Sequence, residues 1–305
     1  MIETETLLPN TQIEEGERKE VIIDPRVFVC SFPKSGTHLA EQLVQPIVTP
    51  MPADKPWAGT FQDHSWTTRW APVKKVLQRI GYIRDGTYAK GHLGYTETIE
   101  NYLYGIGAAV LFVYRDLRDV AVSLTHHILD GKTHSRNEWY QAIGFDAALM
   151  AVIQGLGPYA GVLERWNLYA GWLDVPWVQT WKFGMLVNHK EQACRDILRY
   201  IVGHAAAHRG FGAELSQEVE DQTVALMIAN SERTERSPTY RSGLAGAWRK
   251  EFKPAHCVAF AWNDWRWSEE YGLDEPWLVH LGFEDDPDWW KEHAIEDDET
   301  GGEDD

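Results

Sequence analysis

The stretch Val27-Phe-Val-Cys-Ser-Phe-Pro-Lys-Ser-Gly-Thr-His-Leu39 decides the fold. The apolar, β-branched run from Val21 to Phe32, interrupted only by Asp24-Pro25-Arg26, predicts a buried strand. It stops at Pro33, passes through Lys34-Ser35-Gly36-Thr37 and resumes as an apolar helix stripe of Leu39, Leu43 and Ile47. A strand that turns tightly into a helix N-terminus gathers unpaired backbone N–H groups around one point, where the helix dipole favours an anion. Lys34 adds a cation at the mouth, and the hydroxyls of Ser35 and Thr37 add donors. The order is not that of a Walker loop, in which the lysine follows the glycines; here Lys34 precedes Ser-Gly-Thr. The physical reading is a cradle for phosphate or sulfate, against the plainer one of a strand-to-helix turn with a surface lysine.

The chain of 305 residues, 44% apolar and with 15 Trp, can bury the core of one large α/β domain or two small ones. No run is long and apolar enough to cross a bilayer, and the opening Met1-Ile-Glu-Thr-Glu-Thr lacks the basic start of a signal peptide. Cys30, Cys194 and Cys257 match no metal or disulfide spacing, so a cytoplasmic, reduced protein is expected. The net charge of −17 sits at the ends: residues 1–20 carry six acids against two bases, and residues 284–305 carry twelve against one. This predicts an acidic N-terminal extension over 1–20, a single domain over 21–283 and an acidic, disordered tail over 284–305. A body with no basic face argues against a nucleic-acid partner, and nothing points to a membrane.

Along the chain, Thr49 to Trp70 has no period and reads as a long loop, followed by a short helix with Val73, Val76, Leu77 and Ile80 on one face. Thr87 to His92 reads as a second strand that places Lys90 and His92 on one face near its carboxyl end, where ligands collect in parallel sheets. Ala108 to Tyr114 is a third strand, leading into Arg115-Asp-Leu-Arg-Asp-Val-Ala-Val-Ser123. Asp116 is the expected N-cap, with Asp119 three residues on, and Val120, Leu124 and Ile128 form the helix stripe. Arg115 through its fork and Ser123 through its hydroxyl are placed to hold a second phosphate; a capped helix with a paired arginine is the plainer reading. Helices with Gly155-x-Gly-Pro punctuation span 140–175, Trp177 to Trp181 is a fourth strand, and helices follow over 187–202, 217–229 and 258–271. The alternation predicts a parallel sheet with right-handed crossovers.

These motifs together resemble the sulfotransferases that use 3′-phosphoadenosine 5′-phosphosulfate (PAPS), nearer the cytosolic type. Phe32-Pro-Lys-Ser-Gly-Thr37 is similar to the 5′-phosphosulfate loop, and Tyr114-Arg-Asp-Leu-Arg-Asp-Val-Ala-Val-Ser123 to the 3′-phosphate motif. Lys90-Gly-His92 resembles the Lys-x-His that carries the family's catalytic base, and Tyr240 to Phe252 the C-terminal loop that closes over the 3′-phosphate. The resemblance implies a P-loop-like three-layer α/β fold with a central parallel sheet flanked by helices. It implies sulfuryl transfer to a small-molecule hydroxyl or amine, with His92 as general base and Lys34, then Lys90, at the leaving phosphate. Lys34, Ser35, Gly36 and Thr37 would hold the 5′-phosphate, and Arg115, Ser123, Arg241 and Gly243 the 3′-phosphate, with no metal. Leu39 stands where the family often has an adenine-stacking aromatic, with His38 beside it; Trp181 is the candidate for that ring. Ser242 replaces the second basic residue of the C-terminal loop, Asp116-Leu117 replaces the usual Asn-Pro, and no dimer motif is recognisable, which leaves the oligomeric state open.

Two alternatives stand beside this reading: a small-molecule kinase, which would want Walker order and an acidic Mg²⁺ ligand, and a degenerate sulfotransferase-like binding domain. His204 and His208 at i, i+4 lack a third metal ligand, as do His126, His127 and His134. His126 and His127, with Trp57, Phe61, Trp66, Trp70, Tyr95, Tyr102 and Trp139, are candidates to line an acceptor pocket, although aromatics at this density are more often core.

Overall fold

Strands buried on both faces of a parallel sheet must be apolar along their whole length, and this chain has two such runs. Val27 to Cys30 and Ala108 to Phe112 are fully buried, and they pair in parallel from Arg26↔Ala108 to Ser31↔Val113. A computed structural model of the chain describes residues 9–11, 20–22, 24–50, 73–132, 134–210, 212, 215–232 and 245–293. Its central sheet has five parallel strands: β1 (Arg26–Ser31), β2 (Thr49–Pro50), β3 (Thr87–Gly91), β4 (Ala108–Tyr114) and β5 (Gln179–Lys182). Their spatial order is β2-β3-β1-β4-β5, with β1 in the middle. This parallel sheet flanked by helices is the α/β, P-loop-like arrangement that the sequence implies.

The described residues form two compact units. The first runs to Arg115 and resumes from Leu168 to Gly243. It holds the sheet, with Val27, Val29, Ala109, Leu111 and Val113 facing one buried cluster. Leu39, Ala40, Leu43 and Val44 of the helix Thr37–Val44 join that cluster, as do Ile197, Leu198 and Ile201 of Lys190–His208 and Val224 and Met227 of Gln217–Ser231. On the other face, Phe32 meets the Tyr169 ring edge-on at 5.1 Å, and Trp172 donates its indole N–H to Leu93 O at 2.8 Å. The helix expected from residue 187 is divided at His189 into Phe183–Asn188 and Lys190–His208. Thr49–Pro50, read from sequence as loop, is a two-residue edge strand on β3, where a proline is tolerated.

The second unit comprises Asp116 to Asn167 and the described residues after Leu244. Asp116 caps Leu117–Asp130 by accepting from Arg118 N at 2.9 Å, and Val120, Leu124 and Ile128 are buried as the stripe predicts. The Gly155-x-Gly-Pro punctuation is a small antiparallel hairpin, Gly155–Leu156 with Tyr159–Ala160, between the helices Asn137–Gln154 and Val162–Trp166. Arg118 is buried with 1% exposure, paired with Asp116 at 2.7 Å and with Glu284, and stacked on Trp248 at 4.0 Å and Trp289 at 4.5 Å. A buried guanidinium needs this combination of carboxylates and ring faces to offset its lost hydration. The acidic stretch that begins at Glu284 is therefore built into this unit through Trp289, which is 5% exposed. Residues 1–8 and 294–305, at the acidic ends of the chain, lie outside the described residues.

Asp119 does more than sit in the first turn of its helix. Its carboxylate accepts from Gly246 N at 2.8 Å and from Trp248 N at 3.0 Å, clasping a segment 127 residues away in the chain. Asp119→Ala strands both N–H groups and should cost about 2–4 kcal/mol of stability, read as a lower urea midpoint at unchanged slope. An unchanged midpoint would show that the clasp contributes nothing.

Candidate functional site

The register of the first unit's sheet brings four strand ends to one edge. Cys30 pairs with Gly91, Ser31 with Val113, and Tyr114 with Lys182. The residues that follow each strand therefore leave from neighbouring points: Phe32 to Gly36 after β1, His92 after β3, Arg115 after β4 and Phe183 after β5. This is the carboxyl-terminal edge at which open α/β sheets bind ligands.

The loop after β1 is a tight turn. Ser35 N donates to Phe32 O at 3.1 Å, Lys34 takes a left-handed φ of 70° that non-glycine residues seldom adopt, and Gly36 follows at φ 102°. A Cβ on Gly36 would lie 2.5 Å from the Phe183 ring, so glycine is required twice over, by its backbone angle and by the approach. No side chain caps the helix that starts at Thr37, and its first turn carries no acid. Ser35 is fully buried, and its hydroxyl is a buried polar atom with no hydrogen-bond partner among the described residues. An orphaned donor at the mouth of a helix N-terminus fits an anionic oxygen. The Arg115 guanidinium lies over the same Phe183 ring at 4.8 Å, so this phenylalanine props both the loop and the arginine.

His92 is half-buried, and its Nδ1 is 2.9 Å from Ser31 O and 3.2 Å from Ser31 Oγ. A carbonyl only accepts, so the neutral ring carries its proton on Nδ1 and presents Nε2 as the basic nitrogen. Ser31 Oγ in turn lies 2.7 Å from Thr37 Oγ1. Behind the ring, the His92 carbonyl accepts from Tyr169 OH at 3.2 Å, and Tyr95 N donates to Leu168 O at 2.7 Å. The segment that carries the imidazole is thus tied down on both sides.

Lys90 points to the helix Thr37–Val44, where it pairs with Glu41. Glu41 also accepts from Tyr88 OH at 2.9 Å and meets His38 Nδ1 at 3.4 Å, and Gln45 Nε2 donates to Tyr88 OH at 3.0 Å. Burial pushes the Glu41 carboxyl up, but the hydrogen bonds from His38, Lys90 and Tyr88 and the Lys90 charge outweigh it and hold the group down at about 2. The Tyr88 hydroxyl is pushed up, first by burial and then by the charge of Glu41. Lys90 is therefore a partner in a buried network beside the site.

The other sequence candidates are distributed as follows. His38 is 44% exposed on the helix next to the loop. Trp181 lies within β5, packed against the buried cluster, and its indole nitrogen has no hydrogen-bond partner among the described residues. Ser123 is half-buried in Leu117–Asp130 of the second unit, while Arg241, Ser242 and Gly243 lie outside the described residues. His126 meets Glu251 at 3.2 Å, and His127 faces His134 with ring centroids 6.0 Å apart. Tyr95 stacks edge-on against Trp172, Trp139 is 38% exposed, and Trp57, Phe61, Trp66 and Trp70 lie outside the described residues. His204 packs between Trp177 and Tyr200, and burial, then the neighbouring His208, lowers its pKa. Among the described residues no three His, Cys, Asp or Glu side chains come together as metal ligands. No described helix is long and apolar enough to cross a membrane.

A cavity of about 290 Å³ lies at the opposite, amino-terminal edge of the sheet, lined by Asp24, Arg26, Asp85, His208 and Arg209 among others. Its charges are matched: Arg26 pairs with Asp85 at 2.9 Å and Arg209 with the same carboxylate at 3.2 Å. Sequence reasoning missed Ser31, Glu41 and Phe183.

The fold and this edge define a P-loop-like α/β protein with a tight glycine turn, a histidine and an arginine on adjacent strand ends. The family described as the sulfotransferase domain matches residues 24–171. No curated protein sequence matches the chain. Among solved structures, mouse sulfotransferase SULT7A1 complexed with PAP is similar over 90% of this chain and 91% of its own, with 15% identity and a TM-score of 0.54. Retinol dehydratase with androsterone and the inactive cofactor PAP aligns over 83% of this chain and 82% of its own, at 16% identity and a TM-score of 0.46. The same enzyme with retinol and PAP aligns over 84% of each, at 15% identity and a TM-score of 0.47.

The Glu41 network carries a pH signature. A carboxyl held near 2, below its ordinary 4.5, stabilises the fold above 4.5, and the contribution is lost as pH falls from there toward 2. Glu41→Gln should therefore unfold at lower urea than the parent near neutral pH, with the gap narrowing below 4.5. A gap that stays constant through that window would mean the ionised pair does not stabilise the protein.

Proposed function

We propose that the chain transfers a sulfuryl group from PAPS to a hydroxyl or amine of a small-molecule acceptor. The observation that carries this reading is the juxtaposition of an anion-fitted loop, with its orphaned Ser35 hydroxyl, and a histidine whose Nδ1–H is committed to Ser31. The sulfotransferase-domain match over the same residues supports the choice of sulfuryl over phosphoryl transfer. The donor supplies an activated sulfuryl group on a phosphate leaving group, and everything else falls to this chain's own residues.

The loop amides of Gly36 and Thr37, with the Ser35 hydroxyl, hold the 5′-phosphate. Lys34 brings a cation to the bridging oxygen, where charge develops as the sulfur–oxygen bond breaks. Lys90, the second candidate, is paired with Glu41. Arg115, propped on Phe183, is suited to the 3′-phosphate through its fork of donors. His92 Nε2 accepts the proton that the acceptor loses as its oxygen or nitrogen bonds to sulfur. Positioning and charge neutralisation supply most of the rate enhancement, as in phosphoryl transfer.

The test is release of 3′,5′-bisphosphoadenosine (PAP) from PAPS in the presence of a panel of small alcohols, phenols and amines. His92→Ala should retain PAP binding and lose turnover by about 10²–10⁴-fold. Turnover equal to the parent would remove His92 as the base, and no transfer to any acceptor by the parent would remove the reading itself.

A further inference from the structure

Ser31 ends β1, is fully buried, and has no part in the reaction as proposed above. It is nevertheless the link between the anion loop and the imidazole. Its hydroxyl lies 2.7 Å from Thr37 Oγ1, at the first turn of the loop's helix, and 3.2 Å from His92 Nδ1. Its carbonyl accepts from the same Nδ1 at 2.9 Å. Thr37 is itself only 8% exposed, so this chain of polar groups is sealed from solvent at its centre. We propose that Ser31 is a positioning residue that transmits occupancy of the anion loop to His92 through a directed Thr37–Ser31–His92 hydrogen-bond chain. The proposal rests on the reading of the loop as an anion cradle and of His92 as the base.

The direction follows from what each group can do. Two adjacent hydroxyls can share one hydrogen bond in either sense, Thr37 donating to Ser31 or Ser31 donating to Thr37. An anion in the loop draws the Thr37 O–H toward itself, because a charged acceptor makes the stronger bond. Thr37 Oγ1 then accepts from Ser31, and Ser31 Oγ has lone pairs left to accept from His92 Nδ1–H. The chain runs from His92 to Ser31 to Thr37 to the anion, and each bond polarises the next. With no anion in the loop that order is not imposed. The donor would thus complete the orientation of the base that its own reaction requires. The Ser31 hydroxyl is placed for this, 61 residues from His92 in the chain, by the parallel pairing of β1 with β3.

The experiment is proton and nitrogen NMR of the histidine-labelled full chain, with PAP as the probe and His92→Ala used to assign the His92 signals. In the parent, PAP should move the His92 Nδ1–H proton downfield, the mark of a strengthened hydrogen bond. Ser31→Ala keeps the carbonyl and so keeps the proton on Nδ1, but should lose that PAP-induced shift. Its kcat should fall about tenfold, the worth of one hydrogen bond, and PAP binding, reciprocally coupled to the chain, should weaken by no more than that. Ser31→Thr, which restores a hydroxyl, should recover both the shift and kcat. A parent signal that does not move on PAP binding overturns the proposal without any variant, as does an undiminished shift in Ser31→Ala. The underlying reading fails separately: an unbound PAP removes the cradle, and full turnover by His92→Ala removes the base while the NMR shift still reports on the chain.

Discussion

The parallel ladder between β1 and its two neighbours is the constraint on which the site depends. With Cys30 opposite both Gly91 and Phe112, the chain must leave all three strands within one residue step of the same edge. Backbone hydrogen bonds of fully buried strands fix that register, because a slip by one residue would exchange the side chains of β1 between the two cores that pack on its faces. The loop, the imidazole and the arginine are consequently brought together by the most deeply buried part of the first unit, and not by the loops themselves.

Charge is managed locally at this edge. The chain is strongly acidic as a whole, which suits neither phosphate of a polyanionic donor, yet nearly all of the net charge of −17 lies in the two ends. Within the first unit, Glu41 on the loop's own helix is matched by Lys90 and by hydrogen bonds from Tyr88 and His38. That arrangement cancels a carboxylate close to the loop after β1, and it commits Lys90 to Glu41. Arg115 is held differently, on the face of Phe183. A ring face orients a guanidinium without using up all its hydrogen-bond donors.

The parts of the molecule that were legible in sequence are those whose signal is local. The buried strands read as unbroken apolar runs, Asp116 as a cap, and Lys34-Ser35-Gly36-Thr37 as a turn into a helix, because each depends only on near neighbours. The places of His92 and Arg115 at strand ends were legible because they stand directly after such runs. Glu41, Ser31 and Phe183 were not, since their roles arise from pairing across 49 or 61 residues, or across the sheet edge, and no spacing rule reports that. Thr49–Pro50 escaped for a simpler reason: two residues, one of them proline, carry no strand period. The acidic stretch from Glu284 read as a tail by composition, while Trp289 and the carboxylate that meets Arg118 tie its beginning into the second unit.

The central claim is that this chain binds a nucleotide through two separate phosphate subsites and without a metal. Calorimetric titration of the full chain with PAP, with 5′-AMP as the comparison and no divalent cation present, tests it most directly. The account predicts tight binding of the bisphosphate and much weaker binding of AMP. Equal affinities for the two, or binding of either only when Mg²⁺ is added, would contradict it.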